Sequence, residues 1–300
     1  MKKVLVTGGA GMLGPVVART FVQSDYDVIT LDKITIGSPP CDSSHISFDL
    51  SQENFDALGE LIKPDVIVHC AAITNHRTCN DYPDLTYRVN VMSAAKLAQI
   101  YPDARIIYIS SDAVYAPSVS IARESSALTS GGTYALSKLQ GEVELLKVSK
   151  LATCIRTTPV GFAPTRGEKE HFLDWMVGSL RERQDITLYA DAIFTPIDTC
   201  SLAQVLVDLV DIPCPSVLNV ASDSSISKYD FGVRVALALG LDTATITKGF
   251  LPQTFSSLEN RANQSLSIDL FKQYVAMSAP NTNQVVKNLA NQWRTHGQHN

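Results

Sequence analysis

The chain has 300 residues, 45% of them hydrophobic and 18% charged, with 25 Lys plus Arg against 30 Asp plus Glu and a formal net charge of -5. Low charge with this much apolar content excludes a disordered chain, and a chain of this length buries a large core without disulfide staples. The acidic balance offers no global basic footprint, so no nucleic-acid partner is expected.

In chain order, residues 3–7 read as a first strand and 12–23 as a helix. Strands follow at 27–31, 46–48, 66–70 and 105–110. Between the last two, residues 85–100 carry Tyr87, Val91, Ala94, Ala95 and Ala98 at helical spacing. A helix at 134–148 and a strand at 152–155 close the first half. These strands are apolar with little alternation, which implies burial on both faces and therefore a parallel sheet covered by helices. Repetition of strand, helix and strand predicts an α/β, doubly wound parallel sheet over residues 1–160. Beyond it the rhythm loosens. Pro159, Pro164 and Gly167 mark a loop, helices are expected at 168–183, 202–209 and 229–239, and strands at 186–189 and 217–220. Residues 161–300 are read mostly as a smaller C-terminal substrate-binding lobe, with segments returning to the main sheet. The polar end, 294–300, is expected to fray, His296 and His299 included.

The charged start Met1-Lys2-Lys3 leads into an apolar run that stops at Thr7-Gly8-Gly9, too short for the core of a signal peptide. The sequence has no apolar stretch of spanning length, so no membrane partner is expected and the chain reads as soluble and cytoplasmic. Its six cysteines, at 41, 70, 79, 154, 200 and 214, form no CxxC pair and stand at no zinc-finger spacing from a histidine. They read as free thiols of a reducing compartment, and no metal is expected.

Gly9-Ala10-Gly11-Met12-Leu13-Gly14 fits GxGxxG between a predicted strand and a predicted helix. Glycines there let a pyrophosphate approach the backbone at the positive end of the helix. Asp32 stands at the end of the second strand, where a carboxylate accepts bonds from ribose hydroxyls. It repels a 2′-phosphate and so favours NAD. The adjacent Lys33 softens that repulsion and keeps NADP as the alternative. Pro15 suits only the first helical turn, where its missing N–H is no loss. Further on, Tyr134 and Lys138 stand at i, i+4 on one helix face. Positive charge near a phenol lowers its pKa, which suits Tyr134 to proton transfer.

Taken together, Thr7–Gly14, Asp32, Asp49-Leu50, the run from Lys63 to Ala72, Tyr108–Tyr115 and Tyr134–Lys138 appear in the order found in extended short-chain dehydrogenases/reductases. The chain resembles that family over about residues 1–160, and within it most resembles the dTDP-4-dehydrorhamnose reductases and related sugar-nucleotide reductases. The resemblance implies a Rossmann-type fold and an NAD(P)-dependent reduction of a 4-keto-deoxysugar nucleotide. By position, Ser111 would bind the substrate oxygen and Tyr134 would protonate it. Lys138 would hold the nicotinamide ribose and tune Tyr134. Gly8, Gly11, Met12 and Leu13 would cradle the pyrophosphate, Asp49 and Leu50 would flank the adenine, and Ala71, Ala72 and Thr74 would line the cofactor's path. Asp112 and His76 would stand near the substrate. A homodimer is the default expectation of the superfamily.

Each of these residues also has a structural reading. Asp49 could serve only as a strand-end or N-cap residue, Asp112 as a loop brace and His76 as a solvated loop residue. His69, Cys70, Phe172 and Trp175 read as packing residues, and Arg261 as a surface residue before a diphosphate ligand. Two departures bear on the sugar: Pro159 stands where the resembled reductases carry an aromatic residue, and Ala262 where many carry proline. Ala113 replaces the glutamate expected of a dehydratase, which argues against elimination. An NAD-dependent epimerase, using the same residues, and a non-catalytic nucleotide-binding regulatory subunit are the alternative functions.

Overall fold

The computed structural model describes residues 1–34, 43–52, 54–129, 131–163, 171–252, 262–276 and 278–296. Strands β1 (Lys3–Thr7), β2 (Asp27–Asp32), β3 (Ser44–Ser47), β4 (Val66–His69) and β5 (Arg105–Ile109) join Ala152–Arg156 and Val217–Asn219 in one seven-stranded sheet. Every pairing in it is parallel, and β1 lies between β2 and β4, with Val6 opposite Thr30 and Val68. The order reverses at β1, so the helices that follow β1 and β4 cover opposite faces of the sheet and leave a crevice at the carboxyl ends of the strands.

Both faces of the sheet are buried, as the apolar strands predict. Val4 and Val6 pack with Val17, Ala18 and Phe21 on one face, while Leu5 joins Leu97, Ile67 and Tyr108 on the other. The first group lies on α1 (Gly14–Gln23), whose buried residues recur every three or four positions. Pro15 falls within its first turn, where proline is tolerated. Helix Thr199–Asp208 packs beside α1, whereas Ser93–Ile100 and Thr133–Val148 pack together on the opposite face.

A second core centres on Phe194, Phe231, Met176 and Leu289. It underlies a four-stranded mixed sheet of Ile226–Ser227, Ile193–Phe194, Asn263–Leu266 and Ile121–Ala122. Phe172 and Trp175 pack against this core, matching their expected role as packing residues.

The structure differs from the sequence expectations in three places. The helix expected at 85–100 is broken into a short turn, Pro83–Thr86, a π-helical stretch, Tyr87–Met92, and helix Ser93–Ile100. The widened turn frees the Asn90 carbonyl to accept the Tyr108 hydroxyl at 3.0 Å. The third strand begins two residues earlier than expected, because the His45 ring locks against the Thr30 hydroxyl at 3.0 Å. The end of the chain is helical rather than frayed as far as His296. Helix Thr282–His296 buries Val285, Val286 and Leu289 in the second core and sets Trp293 against Phe162 with ring centres 5.0 Å apart.

Candidate active site

The crevice is built first from glycines. Gly8 has φ +73, and a Cβ there would stand 2.9 Å from the backbone nitrogen of Ala71, so the loop after β1 and the loop after β4 touch backbone to backbone. A Cβ on Gly14 would collide with the Gly8 carbonyl oxygen, which holds the start of α1 against the loop. Gly11 is exposed, and a Cβ on it would meet only the Gly8 carbonyl, at 3.3 Å; its outward side is open. No side chain caps the N-terminus of α1. An open glycine surface leading to uncapped helix N–H groups fits a pyrophosphate.

Asp32 braces this loop. Its Oδ2 accepts from the Ala10 N–H at 3.0 Å and its Oδ1 from the Ile34 N–H at 3.2 Å, with Lys33 exposed beside it. Asp49 closes a turn, its Oδ1 accepting from the Ser51 N–H at 2.9 Å, and Leu50 beside it is buried. Met12, Ala71 and Ala72 are half-buried along the crevice, Leu13 is buried and Thr74 is exposed.

Ser111 and Asp112 stand where the chain leaves β5. Ser111 Oγ donates to Asp112 Oδ1 at 3.1 Å and accepts from the Ala113 N–H at 3.2 Å. The Ser111 side chain also acts on Tyr134, whose pKa it lowers. Tyr134 lies in the first turn of Thr133–Val148 and Lys138 one turn further on. The His76 ring, at the start of helix His76–Asp81, lies 5.2 Å from that of Tyr134. The structure therefore brings Ser111, Asp112, Tyr134 and His76 together.

The electrostatics correct one expectation. The Tyr134 pKa is raised, not lowered. Burial pushes the phenol up to about 12, the Ser111 side chain pulls it down, and the Asp112 charge pushes it up. The Lys138 ammonium instead sits over the Tyr108 ring, 4.1 Å from its centre, and burial lowers its own pKa to about 8 against the pull of Glu142. In this protein the phenol is held as an acid at neutral pH.

Beneath Lys138 lies a buried ion pair. Arg156 at the end of Ala152–Arg156 contacts Glu142 of the catalytic-face helix, at 2.6 Å between Nη2 and Oε2 and 2.9 Å between Nε and Oε1. Ser110 Oγ also donates to Glu142, which ties the serine loop to the helix that carries Tyr134 and Lys138.

Sequence reasoning missed Asn90. Its Oδ1 accepts from the Ile73 N–H at 2.7 Å, while its Nδ2 donates to the Ile73 carbonyl and to Ser137 Oγ, both at 2.9 Å. One amide thus positions the loop after β4 against the Tyr134 helix. An asparagine set between Val89 and Val91 was the available signal. Lys228, also missed, sits at the lobe face near Asp112. His69 is a packed core residue, as expected: it is fully buried, and burial and the Lys138 charge lower its pKa to about 3. Arg261, Cys41 and His299 lie outside the described residues. The described cysteines are free thiols, and among the described residues no group of His, Cys, Asp or Glu could hold a metal ion. No helix of the described residues is long and apolar enough to cross a membrane.

A doubly wound sheet, a glycine loop at its switch point and a Ser, Tyr and Lys set beside that loop define an extended short-chain dehydrogenase/reductase. The chain belongs to the family described as the RmlD substrate binding domain, which matches residues 1–295. It is 29% identical over 251 residues to the spore coat polysaccharide biosynthesis protein SpsK of Bacillus subtilis, covering 82% of this chain and 83% of that protein. It is 31% identical over 185 residues to methionine adenosyltransferase 2 subunit beta of Danio rerio, covering 61% of this chain and 54% of that protein. In fold it matches a dTDP-4-dehydrorhamnose reductase from Bacillus anthracis in complex with NADP, with a TM-score of 0.80 and 20% identity over 96% of this chain and 98% of that one.

Proposed function

We propose that the protein is an NAD(P)-dependent reductase of a 4-keto-deoxysugar nucleotide, with Tyr134 as the proton donor. The observation that carries this reading is the gathering of Ser111, Asp112 and His76 about a Tyr134 phenol whose pKa burial raises, one helical turn before Lys138. When bound, the dinucleotide supplies a hydride to the carbonyl carbon. The protein's part is to orient the carbonyl oxygen and deliver a proton to it. Ser111 orients that oxygen, and Tyr134 donates through its hydroxyl. Lys138 and the uncapped start of α1, with Gly8, Gly11, Met12 and Leu13, would hold the cofactor, and Ala71, Ala72 and Thr74 would flank it. Asp49 and Leu50 would border the adenine. Asp32, at the end of β2, would repel a 2′-phosphate there, which supports NAD over NADP despite Lys33. Asp112 and His76, both beside Tyr134, would contact the sugar.

The test is oxidation of NADH or NADPH with a panel of 4-keto sugar nucleotides, one equivalent of cofactor consumed per turnover. Tyr134→Phe should lower kcat by at least about 10²-fold while leaving cofactor binding intact. Near-normal turnover by that variant would sink the assignment. The similarity to methionine adenosyltransferase 2 subunit beta favours a second reading, a nucleotide-binding subunit. On that reading the chain binds the dinucleotide, fails to oxidise it with any sugar nucleotide of the panel, and co-purifies with a partner enzyme.

A further inference from the structure

Lys228 opens helix Lys228–Ala238, immediately after the short strand Ile226–Ser227, and its N–H donates to the Ala192 carbonyl at 2.8 Å. Its ammonium lies 3.5 Å from the centre of the Phe194 ring and 5.0 Å from that of Phe172. Among the described residues no carboxylate makes an ion pair with it. The charge that acts on it is that of Asp112, and burial lowers its pKa to about 8.

This is a poor place for a cation that only fills space. The N-terminal end of a helix carries positive partial charge and disfavours a lysine. A half-buried ammonium loses part of its hydration, and two phenyl rings return only part of that cost. Methionine or leucine would fill the same gap with no charge to bury. The position has an obvious neighbour in function, however. Strand Asn263–Leu266, which pairs with Ile193–Phe194, packs against the turn Asp112–Val114. Through Phe194 and this strand Lys228 is linked to the Ser111–Asp112 corner beside Tyr134, with no direct ion pair to Asp112.

An ammonium only donates hydrogen bonds and a carboxylate only accepts them. A group that satisfies both at once must accept and donate, as a sugar hydroxyl does when it displaces the water that would otherwise bridge them. We propose that Lys228, together with Asp112, reads a sugar hydroxyl on the ring carbon next to the carbonyl, the hydroxyl accepting from Lys228 and donating to Asp112. Lys228 is then a specificity-determining residue, and the substrate class narrows to keto sugars that retain that hydroxyl. This inference rests on the reductase reading above.

The experiment compares kcat/KM of wild type, Lys228→Met and Lys228→Arg on a 4-keto sugar nucleotide and on its analogue lacking the neighbouring hydroxyl. A site built to bond a hydroxyl rejects the analogue that lacks it far more strongly than a site that merely encloses it. Wild type should prefer the hydroxylated substrate by at least about 10²-fold. Lys228→Met, which still fills the aromatic gap, should lose that preference, falling on the hydroxylated substrate and changing little on the deoxy analogue. Lys228→Arg should keep most of the preference, and it supplies the readout if the methionine variant does not fold. Equal losses on both substrates, or an undiminished preference in Lys228→Met, would overturn the proposal and leave the reductase reading standing. If wild type binds NADH but reduces neither substrate, the reductase reading fails and this proposal fails with it.

Discussion

His69 makes the stability of the cofactor half depend on pH in a way that can be worked from its contacts. The ring is fully buried at the end of β4, stacked on Tyr108 with centres 5.7 Å apart. Ser93 Oγ donates to the Val89 carbonyl at 2.6 Å, so toward His69 Nε2, 3.1 Å away, it can only accept. Thr7 Oγ1 accepts from the Ala71 N–H at 3.2 Å and so donates to Nδ1, 3.0 Å away. The network assigns the proton to Nε2 and a lone pair to Nδ1. A second proton on Nδ1 would face the Thr7 hydroxyl hydrogen, and the Lys138 charge opposes it as well.

The sign follows from proton counts. With a folded pKa of about 3 and an unfolded value of 6.5, the unfolded chain binds more protons between those two values. Stability therefore falls as pH drops through that window. The full shift is worth about 5 kcal/mol, of which about 2 kcal/mol is felt at pH 5. Urea unfolding followed by tryptophan fluorescence, at pH 8 and pH 5, should be run on wild type and His69→Gln. The variant loses a constant amount from its altered hydrogen bonds but escapes the titration. Its stability deficit relative to wild type should therefore narrow by about 2 kcal/mol on going to pH 5. A deficit that is the same at both pH values would refute the neutral, buried ring.

Two further substitutions probe how the Tyr134 helix is held. At Gly141 a Cβ would stand 2.5 Å from both the Asn90 carbonyl oxygen and the Tyr108 hydroxyl. Alanine gains up to about 1 kcal/mol of helix propensity there, but the overpacking costs about 1–3 kcal/mol, so Gly141→Ala should lower the urea midpoint and reduce turnover; an unchanged midpoint would show that the two helices can separate freely. Glu142→Gln should lose about 3–5 kcal/mol, because Arg156 is left buried without its countercharge, whereas the double replacement Arg156→Met with Glu142→Leu should recover most of that loss. Comparable instability in the single and double variants would show that the pair acts through packing instead.

The cofactor half was legible in the sequence because its signals are local. Strand β1, the glycine turn and α1 follow one another within 23 residues, and each strand is apolar enough to declare burial on both faces. Tyr134 and Lys138 lie within one helical turn. What escaped depends on contacts between distant segments. The π-helical stretch is set by Tyr108 and Gly141, some 18 and 51 positions away from Asn90. The lobe strands are mostly pairs of residues, too short to show any period, and they form only because Ile193–Phe194 finds Asn263–Leu266 from across the chain. The pKa of Tyr134 was misjudged for a related reason. Spacing on a helix shows that Lys138 is near, but not that its ammonium turns to the face of Tyr108 and leaves burial to dominate the phenol.

Three buried polar side chains fix the geometry on which the proposed chemistry depends, and none of them needs to touch a substrate. The Thr7 hydroxyl holds Ala71, so the loop after β4 is tied to β1. Asn90 holds Ile73 and Ser137, so the same loop is tied to the Tyr134 helix. Glu142 holds Arg156 and Ser110, so that helix is tied to the strand ends and to the serine loop. Each strut joins two elements that the sheet alone would leave free to slide, and each is satisfied inside the protein, where an unmade bond would cost about 1–3 kcal/mol. A loss of any one strut should therefore loosen the alignment of Ser111 with Tyr134 before it unfolds the sheet. The lobe contributes differently: Lys228 reaches the Ser111–Asp112 corner through charge rather than through a direct bond. On the proposed reading, these struts hold the Ser111–Tyr134 corner in place on the side of the main sheet, where alignment of the reacting groups is decided.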